Sequence, residues 1–142
     1  MSVDMLGQLN WLAIIVGAAI YFVLGAVWYA PPVLGRAWQR SIGWDPSTTP
    51  PQMRIATYLI PAIAYLVTAV AVAMLAAATG SDTLESGLVL GLVLGVGFAL
   101  ARTAVDATFT PNLPQPWVWF AITGLYHLVG VIIVAVVVSV WI

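Results

Sequence analysis

Two small groups of side chains have the types and spacing to do chemistry. His127 is the single histidine, and an imidazole both accepts and donates hydrogen bonds and titrates near neutrality. Tyr21 and Tyr65 fall at similar depth in their own apolar stretches, with Thr68 beside Tyr65. Pro61 lies one turn from Tyr65, where its missing N–H frees a carbonyl. Together these residues could make a polar layer halfway through an apolar bundle. Two roles stand open for that layer. A neutral His127 bonded to one tyrosine would lock helix register, whereas a ring facing a cavity would serve a solute or proton. The second group is Arg102 and Asp106, spaced i, i+4. They would form a salt-bridged helix end, with Arg102 snorkelling toward headgroups, or a site for an anion or headgroup.

Other chemistries find no support. There is no cysteine, which removes thiol catalysis and Cys-ligated metals. One histidine is too few for a metal site. Ser41, Ser47, Ser81, Ser86 and Ser139 have no base at a matching depth. The carboxylates divide between two sides, with Asp4, Asp82 and Glu85 apart from Asp45 and Asp106, so paired-carboxylate hydrolysis is excluded. The basic side chains are four, balanced by five acidic ones, which leaves no surface for nucleic acid. The expectation is a protein without catalytic residues, metal or cofactor.

The elements that must position these groups are set by composition. Of 142 residues, 63% are hydrophobic and 6% charged, whereas soluble domains carry about a quarter charged residues. Four stretches, 11–30, 55–79, 84–107 and 117–141, meet the requirement of roughly 20 mostly apolar residues for a membrane helix. A β-barrel would need alternating polar residues, and the runs 88–94 and 131–138 have none. The expected fold is all-α, an integral membrane protein with four transmembrane helices in an antiparallel bundle.

Arginine placement gives the orientation. Arg36, Arg40 and Arg54 lie between the first and second spans, and Arg102 lies near the end of the third. The positive-inside rule then puts these ends in the cytoplasm and both termini outside. The turn over 80–83 is short enough to make spans two and three antiparallel neighbours. Segment 32–44 carries Leu34, Trp38 and Ile42 at four-residue spacing, with Arg36 and Arg40 opposite. That pattern suits a short interfacial helix, with Trp28, Arg36, Trp38 and Arg40 at the membrane surface among lipid headgroups. Asp45-Pro46 through Pro50-Pro51 suits an extended return. In the third span Gly87, Gly91 and Gly95 continue at i+4 through Ala99, Thr103 and Ala107. Six small residues in step form a ridge that needs a close partner helix, either inside one bundle or on a second copy.

Several short motifs carry a resemblance. Asn10-Trp11, then Gly25-x-x-Trp28-Tyr29-x-Pro31, then Gly35-x-x-Trp38 resemble the signature of the bacterial membrane proteins called the domain of unknown function 1761 family. Gly87, Gly91, Gly95 and Gly97-Phe98 are similar to its Gly-spaced third helix, and Tyr126 and Trp141 to residues of its last. The resemblance implies a four-span protein of a bacterial inner membrane and brings no activity. The function expected is that of a homo-oligomer or a subunit of a larger membrane complex, with membrane lipids as its other partners. The alternative is a transporter or channel for a small solute with a midplane polar site.

Overall fold

A backbone in hydrocarbon must satisfy its hydrogen bonds within its own segment, so long apolar runs become helices. The computed structural model describes residues 3–48 and 54–141. Four of its helical spans are long and apolar enough to cross a membrane: Trp11–Trp28 (α1), Ile55–Thr79 (α3), Leu84–Phe109, and Pro116–Val140 (α6). A short helix, Arg36–Ser41 (α2), follows α1. The third span has three parts: Leu84–Leu94 (α4), a wide π-helical stretch over Gly95–Leu100, and Ala101–Phe109 (α5).

Local signals account for the ends. Asn10 caps α1 by accepting from the Ala13 N–H at 3.1 Å, and its amide donates to the Trp141 carbonyl at 3.0 Å. One side chain thereby ties the start of α1 to the end of α6. Thr83 and Ser86 form a capping box at the start of α4. Gly80, at φ +66°, stops α3 in the left-handed conformation that glycine adopts without strain. The first span ends at Trp28, ahead of the expected residue 30, because the Pro31-Pro32 pair forces extended backbone at Ala30.

The chain then makes a wide turn over Pro31–Gly35, closed by the Gly35 N–H on the Ala30 carbonyl. A Cβ at Gly35 would run into the Tyr29 carbonyl. Within the segment 32–44 the structure shows this turn and the six-residue α2, ending at Ser41. Arg36 and Arg40 are exposed, while Trp38 packs edge-on against Tyr29 with centroids 5.4 Å apart. The extended return expected over 45–51 falls partly on residues 49–53, outside those described. Its first part is a turn, with the Thr48 N–H on the Asp45 carbonyl. Ser47 donates to the Asp45 carboxylate through both N–H and hydroxyl, at 2.8 and 2.7 Å. These bonds favour the charged form and hold the carboxyl below its ordinary range.

Helix α6 is the centre of the protein. It packs against α1, α3 and every part of the third span. Its Tyr126, Val131, Val134 and Ala135 meet Ile14, Ala18 and Tyr21 of α1 and Ala69, Val72 and Ala73 of α3 in one buried cluster. The third span joins through its glycines. A Cβ at Gly91 would lie 2.7 Å from the Ile132 Cα, and one at Gly87 3.1 Å from the Val136 Cα. The ridge is therefore used inside the chain, against α6.

Two expectations need correction. Spans two and three follow one another through a short turn, yet α3 and the third span make no extended contact. The glycine ridge gives its close approach to α6, and large side chains of α3 and the third span border the space left between them. The second correction concerns the six-residue ridge. A four-residue repeat gains about 40° per step on a helix that turns 100° per residue, so it cannot stay on one face of a straight α-helix. The wide stretch intervenes, with the Ala101 N–H bonded to Val96, five residues back. One residue is absorbed there without its share of rotation. Gly87, Gly91, Gly95, Thr103 and Ala107 are buried, while Ala99, inside the wide stretch, is partly exposed.

Candidate functional site

Where α3 and the third span diverge, a groove of about 790 Å³ remains. Tyr21 of α1 and His127 and Val131 of α6 lie at its base. Tyr21 and Val131 are buried, whereas Val67 on one lip and Phe98 on the other are 63% and 70% exposed. The groove thus runs inward from the outer surface of the bundle, its apolar walls leading to a polar floor. Part of the expected polar layer and the expected charged pair, taken separately from sequence, line one feature, while Tyr65 lies behind Tyr21 and does not line it. Tyr21, Thr68, Arg102, Asp106 and His127 all border it.

At the floor the Tyr21 hydroxyl lies 2.6 Å from His127 Nδ1. Tyr21 also stacks on Tyr65 with ring centroids 4.2 Å apart and planes 19° from parallel. His127 shares its helix face with Thr123, Gly124 and Gly130, whose small size leaves a hollow along α6. The structure gives the space to others. The Tyr21 ring occupies the hollow at Gly130, where any Cβ would collide with it, and Leu100 covers Gly124. His127 is consequently held from one side by Tyr21 and half-buried along the groove. The ring is anchored to a tyrosine, and it borders a cavity.

Arg102 and Asp106 meet as an ion pair with Nη2 to Oδ1 at 2.9 Å and Nε to Oδ2 at 3.1 Å. The Arg102 side chain is 76% exposed and that of Asp106 37%, so the pair contributes little to stability. Its consequence is electrostatic: two charges cancel at one end of the groove. Thr103 and Thr68 give their hydroxyl protons to the carbonyls of Ala99 and Ala64 on their own helices.

Sequence reasoning noted Tyr126 for its resemblance alone and left it out of the polar layer, yet it joins these parts. Tyr126 is 1% exposed, donates from its hydroxyl to the Tyr21 carbonyl at 3.2 Å, and touches the rings of Tyr21, Tyr29, Tyr65, His127 and Trp28. Its neighbour in sequence, His127, drew the attention that polarity earns. Three tyrosines at matching depth, Tyr21, Tyr65 and Tyr126, were a usable signal. Trp28, expected at the membrane surface, donates its indole N–H to the Ile122 carbonyl and ties α1 to α6. Arg36 and Arg40 border a shallow depression of about 620 Å³ with Trp44 and Gln115. The place of Phe98 on the groove lip and the wide stretch that carries it were not foreseen, although Gly95 and Gly97 mark a helix free to deform. Among the described residues, no three His, Asp or Glu side chains gather as a metal site would require.

A family model described as "Protein of unknown function (DUF1761)" matches residues 12–139, nearly the whole chain. No curated protein matches, and no solved structure does.

Proposed function

The chain belongs to the DUF1761 family, whose function is unknown, and from that premise we propose that it is a membrane-embedded binding protein. Its working part is the groove between α3 and the third span, and it carries out no covalent chemistry. The observation behind this reading is the Tyr21–His127 pair at the base of an apolar groove. A volume of about 790 Å³ lies within the range of small-molecule sites, which combine apolar walls with a few placed polar groups. The side opening favours a molecule already dissolved in the bilayer over an ion drawn from water. In this reading the protein lies in a bacterial inner membrane, with its arginine-bearing end cytoplasmic and both termini outside.

A second reading rests on the same open seam. A helix from another copy, or from a larger membrane complex, could lie between α3 and the third span, whose lips are exposed and apolar. Native mass spectrometry in a mild detergent separates the two. Binding predicts a bound small molecule on the wild type that is lost in Ala71→Trp, which fills the groove. Multiples of the chain without such a molecule, dissociating in Ala71→Trp, would support assembly and overturn the binding reading.

A further inference from the structure

The groove has a chemical preference that follows from proton placement. Two arrangements are open to a phenol and an imidazole nitrogen 2.6 Å apart. If Nδ1 of His127 carried the proton, the Tyr21 oxygen would accept it, and the phenol hydrogen would need another acceptor. The structure pairs that hydroxyl with His127 alone among the described residues, and Tyr21 is 2% exposed. The phenol therefore donates to Nδ1, and the imidazole proton sits on Nε2. Nε2 has no partner among the described residues, and its ring borders the groove. An N–H without an acceptor is costly at this depth. An occupant that brings a bare oxygen acceptor satisfies the site with no donor left over, and a carbonyl is such a group.

Charge narrows the class further. The cationic group beside the groove, Arg102, is already matched by Asp106 through two contacts. An anionic ligand would find no unmatched positive charge there.

Building on the proposed groove, we infer that its ligand is an uncharged, membrane-dissolved carbonyl compound. One carbonyl oxygen accepts from the His127 Nε2–H, and the apolar remainder lies between α3 and Phe98. Quinones and acylglycerols share this chemistry and are the two sources to distinguish.

The test uses the full chain in dodecyl maltoside, a detergent without carbonyls, titrated with decylubiquinone, dioleoylglycerol and oleate. At least one neutral probe should bind, and the one bound more tightly identifies the source. His127→Leu should weaken it about tenfold, the worth of one hydrogen bond, and His127→Gln, which keeps an N–H donor, should recover most of that loss. The bound carbonyl stretch should fall in frequency in the wild type and not in His127→Leu. Nitrogen NMR of labelled histidine in the ligand-free protein should place the proton on Nε2. Oleate binding as tightly as the neutral probes, indifference to His127→Leu, or a proton on Nδ1 would overturn this inference while leaving the groove intact. Binding of no probe, or binding unchanged by Ala71→Trp, would overturn the groove itself.

Discussion

The third span has two seams, and they are built on opposite principles. Toward α6 it presents Gly87, Gly91 and Gly95, and the backbones come close enough that a single added carbon would strike the Ile132 Cα. Toward α3 it presents Leu94 and Phe98, and a groove remains. Lipid offers apolar side chains the same company that another helix does, so bulk alone brings no association in a membrane. Close backbone approach does. The molecule is therefore tight where its residues are small and open where they are large.

The strongest test of this contrast is Gly91→Leu. It should destabilise the fold by about 3 kcal/mol or prevent it, since the neighbouring atom is backbone and cannot swing away. Thermal unfolding in detergent would measure it. A wild-type melting curve would mean that the two seams had been assigned the wrong way round. Gly130→Ala should follow, at about 2 kcal/mol, because the Tyr21 ring fills the space its methyl needs. The Tyr21 ring is a side chain and can retreat, so the protein should still fold while the hydrogen bond to His127 is lost; nitrogen NMR of the imidazole would register that loss. Tyr21→Phe removes only the hydroxyl and keeps the stack on Tyr65. It should cost about 0.6 kcal/mol, the average for hydrogen bonds between membrane helices. Gly97→Ala should be the mildest, within about 0.5 kcal/mol, since nothing lies within 4 Å of the added carbon. A large loss at Gly97 would place an unseen neighbour on the open side and erase the distinction between the seams.

What could be read from sequence followed the same division. The four spans were legible because hydropathy is a local property and survives any arrangement of the helices. The glycine ridge was legible as a demand for close contact, yet its partner was not, because spacing specifies a surface and not what covers it. The turn at Gly80 suggested that α3 and the third span would pack together, and a short connection proved weaker than the pull of the ridge toward α6. His127 and the Arg102–Asp106 pair stood out by polarity. Their joint position on one groove depends on how far the spans separate, which no single segment encodes. The central role of Tyr126 stayed hidden because tyrosines are common in apolar helices, and that role comes from five ring neighbours on α1 and its C-cap, on α3 and on α6 itself.

The central place of α6 also has a consequence for the order of assembly. A chain is made from its N-terminus, and α6 is the last of the four spans to leave the ribosome. Helices α1 and α3 contact each other directly and can pair as soon as both are in the bilayer. The third span has no such partner, since its glycine ridge matches α6 alone among the described helices. Until α6 arrives, that ridge faces lipid, or whatever membrane chaperone or insertase stands nearby. The final span thus closes the protein in a single late step, and chains halted before Pro116 would present the ridge uncovered for quality control to recognise.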